Sequence, residues 1–483
     1  MSQVDRKSVR EELERCKTEF QDLRSQRKIL PESEALFKSL LMLIELLVSI
    51  FLERTTKKTA KNSSKPSSQT EKDESSLGEA GSHKKGREEN DEPFSNARAK
   101  ESVKIAKVSW CESCGADLSG TTTCGHEERK LIDIVFEKVV EITRAEIKEC
   151  PECGTENKGQ FPANMPGPLQ YGVGVIAYIL DLLIAQMVSL ARIQNSIKSL
   201  LGVRLSQTTI LNYVLRLHIA LAEWEQASIE QILQQPALNT DETSMRVNKR
   251  NQWVHVISGG DITLKFLHPK RGKEAIEDIG IIPRYGGVLI HDCWSSYLGY
   301  HQCKHGLCGS HLLRELTFVF ESNNYRWAKN MKRLLQQTCH KVSKRKRKKL
   351  TEKEYQKLQK RYRNILTRGI KEIPPIPPKP RGLRGRIAKS DAHNLLERLQ
   401  KYEEAVLLFA RNPFVSFTNN RAERDLRMGK VKQKVSGCFR SEELAQAYCR
   451  ISSYLQTMAN KGFNPLIAIQ IALQGKAVDM MRK

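Results

Sequence analysis

Three acidic residues stand in contexts suited to divalent-cation chemistry. Asp241 lies in Asn239-Thr240-Asp241-Glu242-Thr243. Asp292 follows the apolar run 288–290, in Ile290-His291-Asp292-Cys293-Trp294. Glu423 lies in Asn419-Asn420-Arg421-Ala422-Glu423-Arg424, where a helical pattern opens. They are 51 and 131 residues apart, each expected at the end of a strand or the start of a helix. Mg²⁺ prefers oxygen ligands and keeps several waters, so a few carboxylates hold it. Two such ions roughly 3.5–4 Å apart stabilise the attacking and leaving oxygens of an in-line displacement at phosphorus. In that arrangement Asp241 bridges both ions, Asp292 holds one and Glu423 the other. Each residue also has a structural reading. Asp292 can cap a turn, Glu423 can close a capping box opened by Asn420, and Asp241 competes with its neighbour Glu242.

A second ligand set is sulfur-based. Cys111-Glu-Ser-Cys114-Gly and Cys150-Pro-Glu-Cys153-Gly are matching knuckles, each pointing two thiolates at one point. Together, Cys111, Cys114, Cys150 and Cys153 supply the four soft ligands of a structural Zn²⁺, with a β-hairpin arm expected between the knuckles. Cys111, Cys114, Cys124 and His126 form a more compact alternative. Twelve cysteines with C-x-x-C spacing point to metal binding or redox chemistry rather than structural disulfides.

Positioning these groups requires a framework. The runs WVHVIS, TLKFLH and GVLIHD between 236 and 300 read as strands, and 169–235, 311–410 and 420–475 read mainly as helices. An RNase H-like sheet would carry the first Asp on its first strand, the second on its fourth, and the Glu on a later helix. Within 196–213 the order helix, Gly202, Ser206, helix reads as a helix-turn-helix, with Gln207, Thr208 and Asn212 facing base edges. Packing within a helical bundle is the other reading. At the N-terminus Val9, Leu13, Cys16, Phe20, Leu23 and Leu30 make a short coiled-coil-like seam over 8–30, ended by Pro31. A second apolar helix follows at 33–53, and the pair either self-associates or folds as a hairpin. The Ser-rich stretch 55–100 is read as a disordered linker, and 131–142 as a short strand.

The chain has 483 residues, which suggests about three domains. Its 80 Lys and Arg against 55 Asp and Glu give a formal net charge of +25, which favours a polyanionic partner. The apolar run 40–52 is interrupted by Glu45 and is shorter than the ~20 residues a membrane helix needs. It also lacks a signal-peptide layout, so an intracellular protein is expected.

Several blocks resemble the insertion-sequence sixty-six family of bacterial transposases along nearly the whole chain. They are KNSSKPSS in the linker, the paired knuckles, PANMPGPLQYG, TDET at 240–243, HDCWSSY at 291–297, CGSHLLREL at 308–316 and NNRAERDLRMGKVKQKVSGCFRS at 419–441. The second catalytic block departs from the family at the residues after Asp292, where Asp-Gly is frequent. The resemblance implies metal-dependent cleavage and strand transfer at the ends of an insertion sequence. It also implies two Mg²⁺ or Mn²⁺ ions on Asp241, Asp292 and Glu423. DNA, as terminal inverted repeats and target, is the implied partner, with a homo-oligomer and accessory proteins encoded by the element, no membrane, and a cytoplasmic, nucleoid-associated location. Cys308 and His311 resemble a C-x-x-H pair of several transposase groups and read either as metal ligands or as helix packing. Around Glu423, Arg421, Arg424, Arg427, Lys430, Lys432 and Lys434 are expected to meet phosphates, and the basic run 344–349 to grip DNA without sequence preference.

The expected fold is α+β and multidomain. It comprises a helical oligomerisation segment at 1–54, the linker at 55–100, a zinc finger at 101–160 and a helical DNA-binding domain at 161–235. An RNase H-like α/β core follows at 236–320 and 411–460, interrupted by a basic helical insertion at 321–410, with a C-terminal helix at 461–483. The competing readings are a catalytically decayed DNA-binding relic and an RNase H-like nuclease acting on RNA–DNA hybrids.

Overall fold

A computed structural model of the chain describes residues 6–26, 28–56, 58, 62, 103–130, 137–376 and 389–481. The expected linker lies almost wholly outside them, as do residues 131–136 and much of the Pro-rich break after 376. The described residues fall into two compact units, one drawn from Met1–His83 and Ala222–Thr457, the other from Lys84–Leu221 and Met458–Lys483.

The first unit opens with α1 (Arg6–Ser25) and α2 (Pro31–Thr55). The first helix stops five residues before Pro31, and Pro31 begins the second, where its missing N–H costs nothing. The two pack on each other within the chain through the Phe20–Phe37 ring contact and the Lys17–Glu45 and Arg24–Glu34 ion pairs. With Glu45 paired, the helix continues beyond the expected apolar run. Its segment Ser33–Thr55 is long and apolar enough to cross a membrane by length and composition.

The second unit then supplies β1 (Ile147–Glu149) and β2 (Glu156–Lys158), an antiparallel pair around the second cysteine knuckle. The β-hairpin arm expected between the knuckles is not formed by the described residues there, and 137–142 carries no strand. Each short strand instead flanks the tight Cys150–Gly154 turn. Helices α3 (Val173–Leu180), α4 (Leu190–Leu201) and α5 (Gln207–Ala220) follow. The helical stretch expected over 169–235 breaks after Ala185, where Met187 takes a positive φ of 58°.

The first unit resumes with α6 (Ala222–Ile232), then β3 (Ala237–Val247), β4 (Arg250–Gly259), β5 (Ile262–His268), α7 (Lys273–Ile279), β6 (Val288–His291) and β7 (Lys304–Leu307). The sheet order is β5-β4-β3-β6-β7. The first three strands are antiparallel, while β6 runs parallel to β3 and β7 parallel to β6. After the sheet come α8 (Gly309–Asn323), α9 (Arg326–Ser343), α10 (Glu352–Glu372), α11 (Asp391–Lys401), α12 (Glu403–Arg411), α13 (Asn420–Ser436) and α14 (Glu442–Asn460), and α15 (Pro465–Leu473) returns to the second unit. Helices α8 to α12 enclose an apolar core around Trp327, Met331, Leu335 and Tyr362. The outer edge of β5 is closed by α14, whose Ser453 and Thr457 hydroxyls accept the N–H groups of Lys265 and Thr263 at 2.8 and 3.1 Å.

Helix α2 is seated in this unit by Leu46, Ser49, Leu52 and Glu53, all buried. Glu53 caps α11 by accepting the backbone N–H groups of Asp391 and Ala392 at 2.5 and 3.0 Å. Burial, with the charge of Asp391 adding to it, pushes its pKa up to about 7. A carboxyl whose folded pKa exceeds its unfolded value withdraws stability as pH rises between the two. Glu53 should therefore cost up to about 3 kcal/mol between about pH 4.5 and 7, and Glu53→Gln should flatten that decline. Urea melts across this range that give the same slope in both proteins would exclude Glu53 as its source.

Candidate active site

The parallel register of β3 and β6 pairs Asn239 with Ile290. Two places further along stand Asp241 within β3 and Asp292, the first residue after β6. With the strand period of two, Asp241 shares a face with Asn239. Asp241 is thus the fifth of eleven strand residues rather than a strand end. Glu423 sits in the first turn of α13, whose cap is Asn419 without a side-chain cap bond, so the expected capping box does not form. The Asp241 carboxyl is raised well above the usual range, first by burial, then by the charges of Glu242, Asp292 and Glu423. Its Oδ1 accepts the Glu242 N–H at 2.9 Å.

Glu242 is committed elsewhere. Its carboxylate accepts the Tyr297 hydroxyl at 2.6 Å and two nitrogens of Arg271 at 2.7 and 2.6 Å. The guanidinium of Arg271 lies over the rings of Trp253 and Trp294, at 5.0 and 4.4 Å. Asp241 makes none of these contacts.

Asn419 ties the frame together. Its Nδ2 donates to the Thr240 carbonyl at 2.8 Å, its Oδ1 accepts from Asn239 Nδ2 at 2.8 Å, and its backbone N–H points at Cys308 Sγ at 3.1 Å. The chain reaches this point across Gly309, whose N–H binds the Phe417 carbonyl at 2.7 Å. A Cβ at 309 would lie 2.3 Å from the Phe417 ring. One turn into α13, Asp425 is buried and accepts the hydroxyls of Ser258 and Thr263 at 2.7 and 3.0 Å. It also faces buried Lys265, whose pKa burial lowers. Among the described residues, Cys308, His311 and Glu423 are the group whose potential ligand atoms lie within 4.8 Å of one another. His311 Nδ1 and Glu423 Oε1 are 3.9 Å apart, both buried and without a hydrogen-bond partner.

The basic residues of α13 divide. Arg421 donates to the Ile262 carbonyl, Lys430 reaches the Ser244 carbonyl at 2.5 Å, and Lys432 is buried. Arg424, Arg427 and Lys434 are exposed. The basic run turns between α9 and α10, where Arg345, Lys346, Arg347, Lys349 and Arg411 line a cavity of about 630 Å³.

In the second unit both knuckles form, with Gly115 and Gly154 at φ +73°. Each closes by the same two bonds, Cys111 N–H to Ala116 O with Gly115 N–H to Cys111 O, and Cys150 N–H to Thr155 O with Gly154 N–H to Cys150 O. Backbone N–H groups lower the Cys111 thiol pKa, and Thr155 lowers that of Cys153. Cys111, Cys114, Cys150 and Cys153 are not gathered within a common 4.8 Å cluster, and neither are Cys124 and His126 with the first knuckle. The order helix, Gly202, Ser206, helix is present. Gly202 ends α4 in the left-handed region and the Ser206 side chain caps α5, leaving Gln207, Thr208 and Asn212 exposed.

Sequence reading named the three carboxylates and the C-x-x-H pair but gave no role to Asn419, Tyr297, Arg271 or Asp425. The Asn-Asn doublet ahead of Ala-Glu-Arg-Asp was the available signal for the first. A protein-family profile described as Transposase IS66 family matches residues 168–447. No curated protein matches the chain.

Two substitutions test this geometry. Asp241→Asn keeps the Oδ1 acceptor and removes a repelled charge. Because the native carboxyl titrates above its unfolded value, wild type loses stability as pH rises past about 4, and the variant does not. Without divalent cations it should melt roughly 2–4 °C higher at neutral pH, and a lower melting point would contradict the crowding of acids around Asp241. Asn419→Ala leaves Asn239 and the Thr240 carbonyl unpaired in a buried place. It should cost about 2–4 kcal/mol in denaturant unfolding, and a loss under about 0.5 kcal/mol would show the junction to be dispensable.

Proposed function

The chain belongs to the Transposase IS66 family, and from that premise we propose that it cleaves and joins DNA at a two-metal centre held by Asp241, Asp292 and Glu423. A transposase acts on DNA, and the net charge of +25 suits that partner. The observation that carries the catalytic reading is the electrostatic one. Burial, and then the charges of its acidic neighbours, raise the Asp241 carboxyl well above its usual range, a cost that a bound cation removes. The donor set fits a hard ion, because Asp241, Asp292 and Glu423 all offer oxygen while Glu242 is withheld by Arg271 and Tyr297. Two Mg²⁺ or Mn²⁺ ions, when bound, supply the charge that stabilises the attacking and leaving oxygens at phosphorus. The chain itself fixes the carboxylates. Strand β3 carries Asp241, the end of β6 aims Asp292, and Asn419 sets the start of the helix that bears Glu423.

Supporting the reading of this unit as an RNase H-like core is the sheet order β5-β4-β3-β6-β7, three antiparallel strands continued by two parallel ones. The exposed Arg424, Arg427 and Lys434, together with the basic turn at 344–349, are the groups left to meet phosphates without sequence preference. Gln207, Thr208 and Asn212 on α5 are the candidates for base contact. The four knuckle cysteines are proposed to close on a structural Zn²⁺. Synapsis of two element ends calls for at least two copies of the chain.

The test is joining of labelled element ends in Mg²⁺. Asp241→Ala, Asp292→Ala and Glu423→Ala should each lower it by about 10³-fold or more, the order of loss when a transition-state charge loses its stabiliser. Glu242→Gln, which keeps an acceptor for Tyr297 and Arg271, should lower it far less. Retention of joining by any of the three alanine variants would end the assignment.

A further inference from the structure

We propose that Cys308, His311 and Glu423 form a site for one borderline-soft divalent cation of the zinc class, with a fourth position left for water. The site shares Glu423 with the centre proposed above but does not rest on that reading.

Spacing brings the first two ligands together. Cys308 is the N-cap of α8 and His311 lies in its first turn, so the two share one helix face. Glu423 arrives from α13, held there by the bonds of Asn419 to β3. The three ligand atoms lie within 4.8 Å of one another. Ligands placed tetrahedrally at 2.0–2.3 Å from zinc stand roughly 3.3–3.8 Å apart, so small side-chain adjustments complete the site.

The polar atoms also lack any other use. His311 Nδ1 and Glu423 Oε1 are buried, 3.9 Å apart and unpartnered, a pairing that costs free energy unless something sits between them. A cation between the two satisfies both. Cys308 Sγ faces the Asn419 N–H at 3.1 Å at the N-terminal end of a fifteen-residue helix, which opposes the burial that raises its thiol. One thiolate, one imidazole and one carboxylate are the donors of a zinc site with three protein ligands and an open place, whereas Mg²⁺ avoids sulfur. The knuckle cysteines belong to the other unit and share no ligand with this set.

The experiment counts metal on the full chain, stripped and then equilibrated with Zn²⁺. Wild type should retain one more equivalent than Cys308→Ser or His311→Gln. The same difference should persist when Cys111, Cys114, Cys150 and Cys153 are all replaced by Ser. Glu423→Gln, which preserves shape, should weaken the extra site by about tenfold or more. Co²⁺ in place of zinc should add a thiolate charge-transfer band that vanishes in Cys308→Ser and survives in Asp241→Asn, with circular dichroism confirming that each variant is folded. Equal zinc content in wild type, Cys308→Ser and His311→Gln overturns the proposal. So does an extra equivalent lost in Asp241→Asn but kept in Cys308→Ser, because it would then belong to the acidic cluster. If end joining fails in every protein while the zinc difference stands, the catalytic reading falls and this one remains.

Discussion

The carboxamide of Asn419 is the constraint on which the site's geometry depends. The ladder of β3 with β6 ends at the Asn239–Ile290 pair, and one residue further the Thr240 carbonyl takes its bond from Asn419. The same side chain accepts from Asn239, and the same residue's N–H meets Cys308. A strand, a helix start and a helix cap are thereby fixed to one buried residue that is 1% exposed. Helix α13 cannot slide or rotate without breaking these bonds, and Asp425 locks it again through Ser258 and Thr263. Glu423 lies between the two anchors. Positioning by neighbours that are themselves hydrogen-bonded is what holds a site to the tolerance that chemistry needs.

The strand then separates two acids that are adjacent in sequence. Successive strand residues point to opposite faces, so Glu242 turns toward Tyr297 and Arg271 while Asp241 remains with the other carboxylates. Arg271 offsets one buried charge and itself lies over two indole rings. The result is an uneven distribution of charge. Burial raises both carboxyls, but Tyr297 and Arg271 pull Glu242 back, whereas Asp241 is pushed further by three neighbouring acids.

Much of this was legible in the sequence because it is local. Strand alternation in WVHVIS and TLKFLH, the Gly-Ser corner before α5 and the matched knuckles each follow from residues close together, and each is present. The family match over 168–447 agrees with the resemblance read from the motif blocks. What stayed hidden is long-range. Nothing near Arg271 announces its pairing with Glu242, and nothing near Glu53 announces its place on α11, because those partners meet only once the chain has folded. Long-range packing also divides the basic stripe of α13. Arg421 and Lys430 are drawn to carbonyls of β5 and β3, and Lys432 is buried. Of the strand expected at 131–142, residues 131–136 lie outside the described residues and 137–142 carry no strand.

The bond between Gly309 and Phe417 has a wider implication. The chain leaves the sheet at one of these residues and comes back at the other, so more than a hundred residues form a loop whose two ends touch. Closing a loop costs free energy that grows only slowly with its length. The helices inside it can lengthen, shorten or be exchanged with little effect on where Glu423 arrives, provided that the crossing at the bare α-carbon of Gly309 is kept. The pair of Arg398 with Glu315 lies within this cassette, which meets the sheet through an apolar core shared with Val288, Ile290 and Leu307. Beyond that shared face, a segment whose two ends meet at one crossing is the natural place for a chain to gain or lose length while its chemistry stays the same.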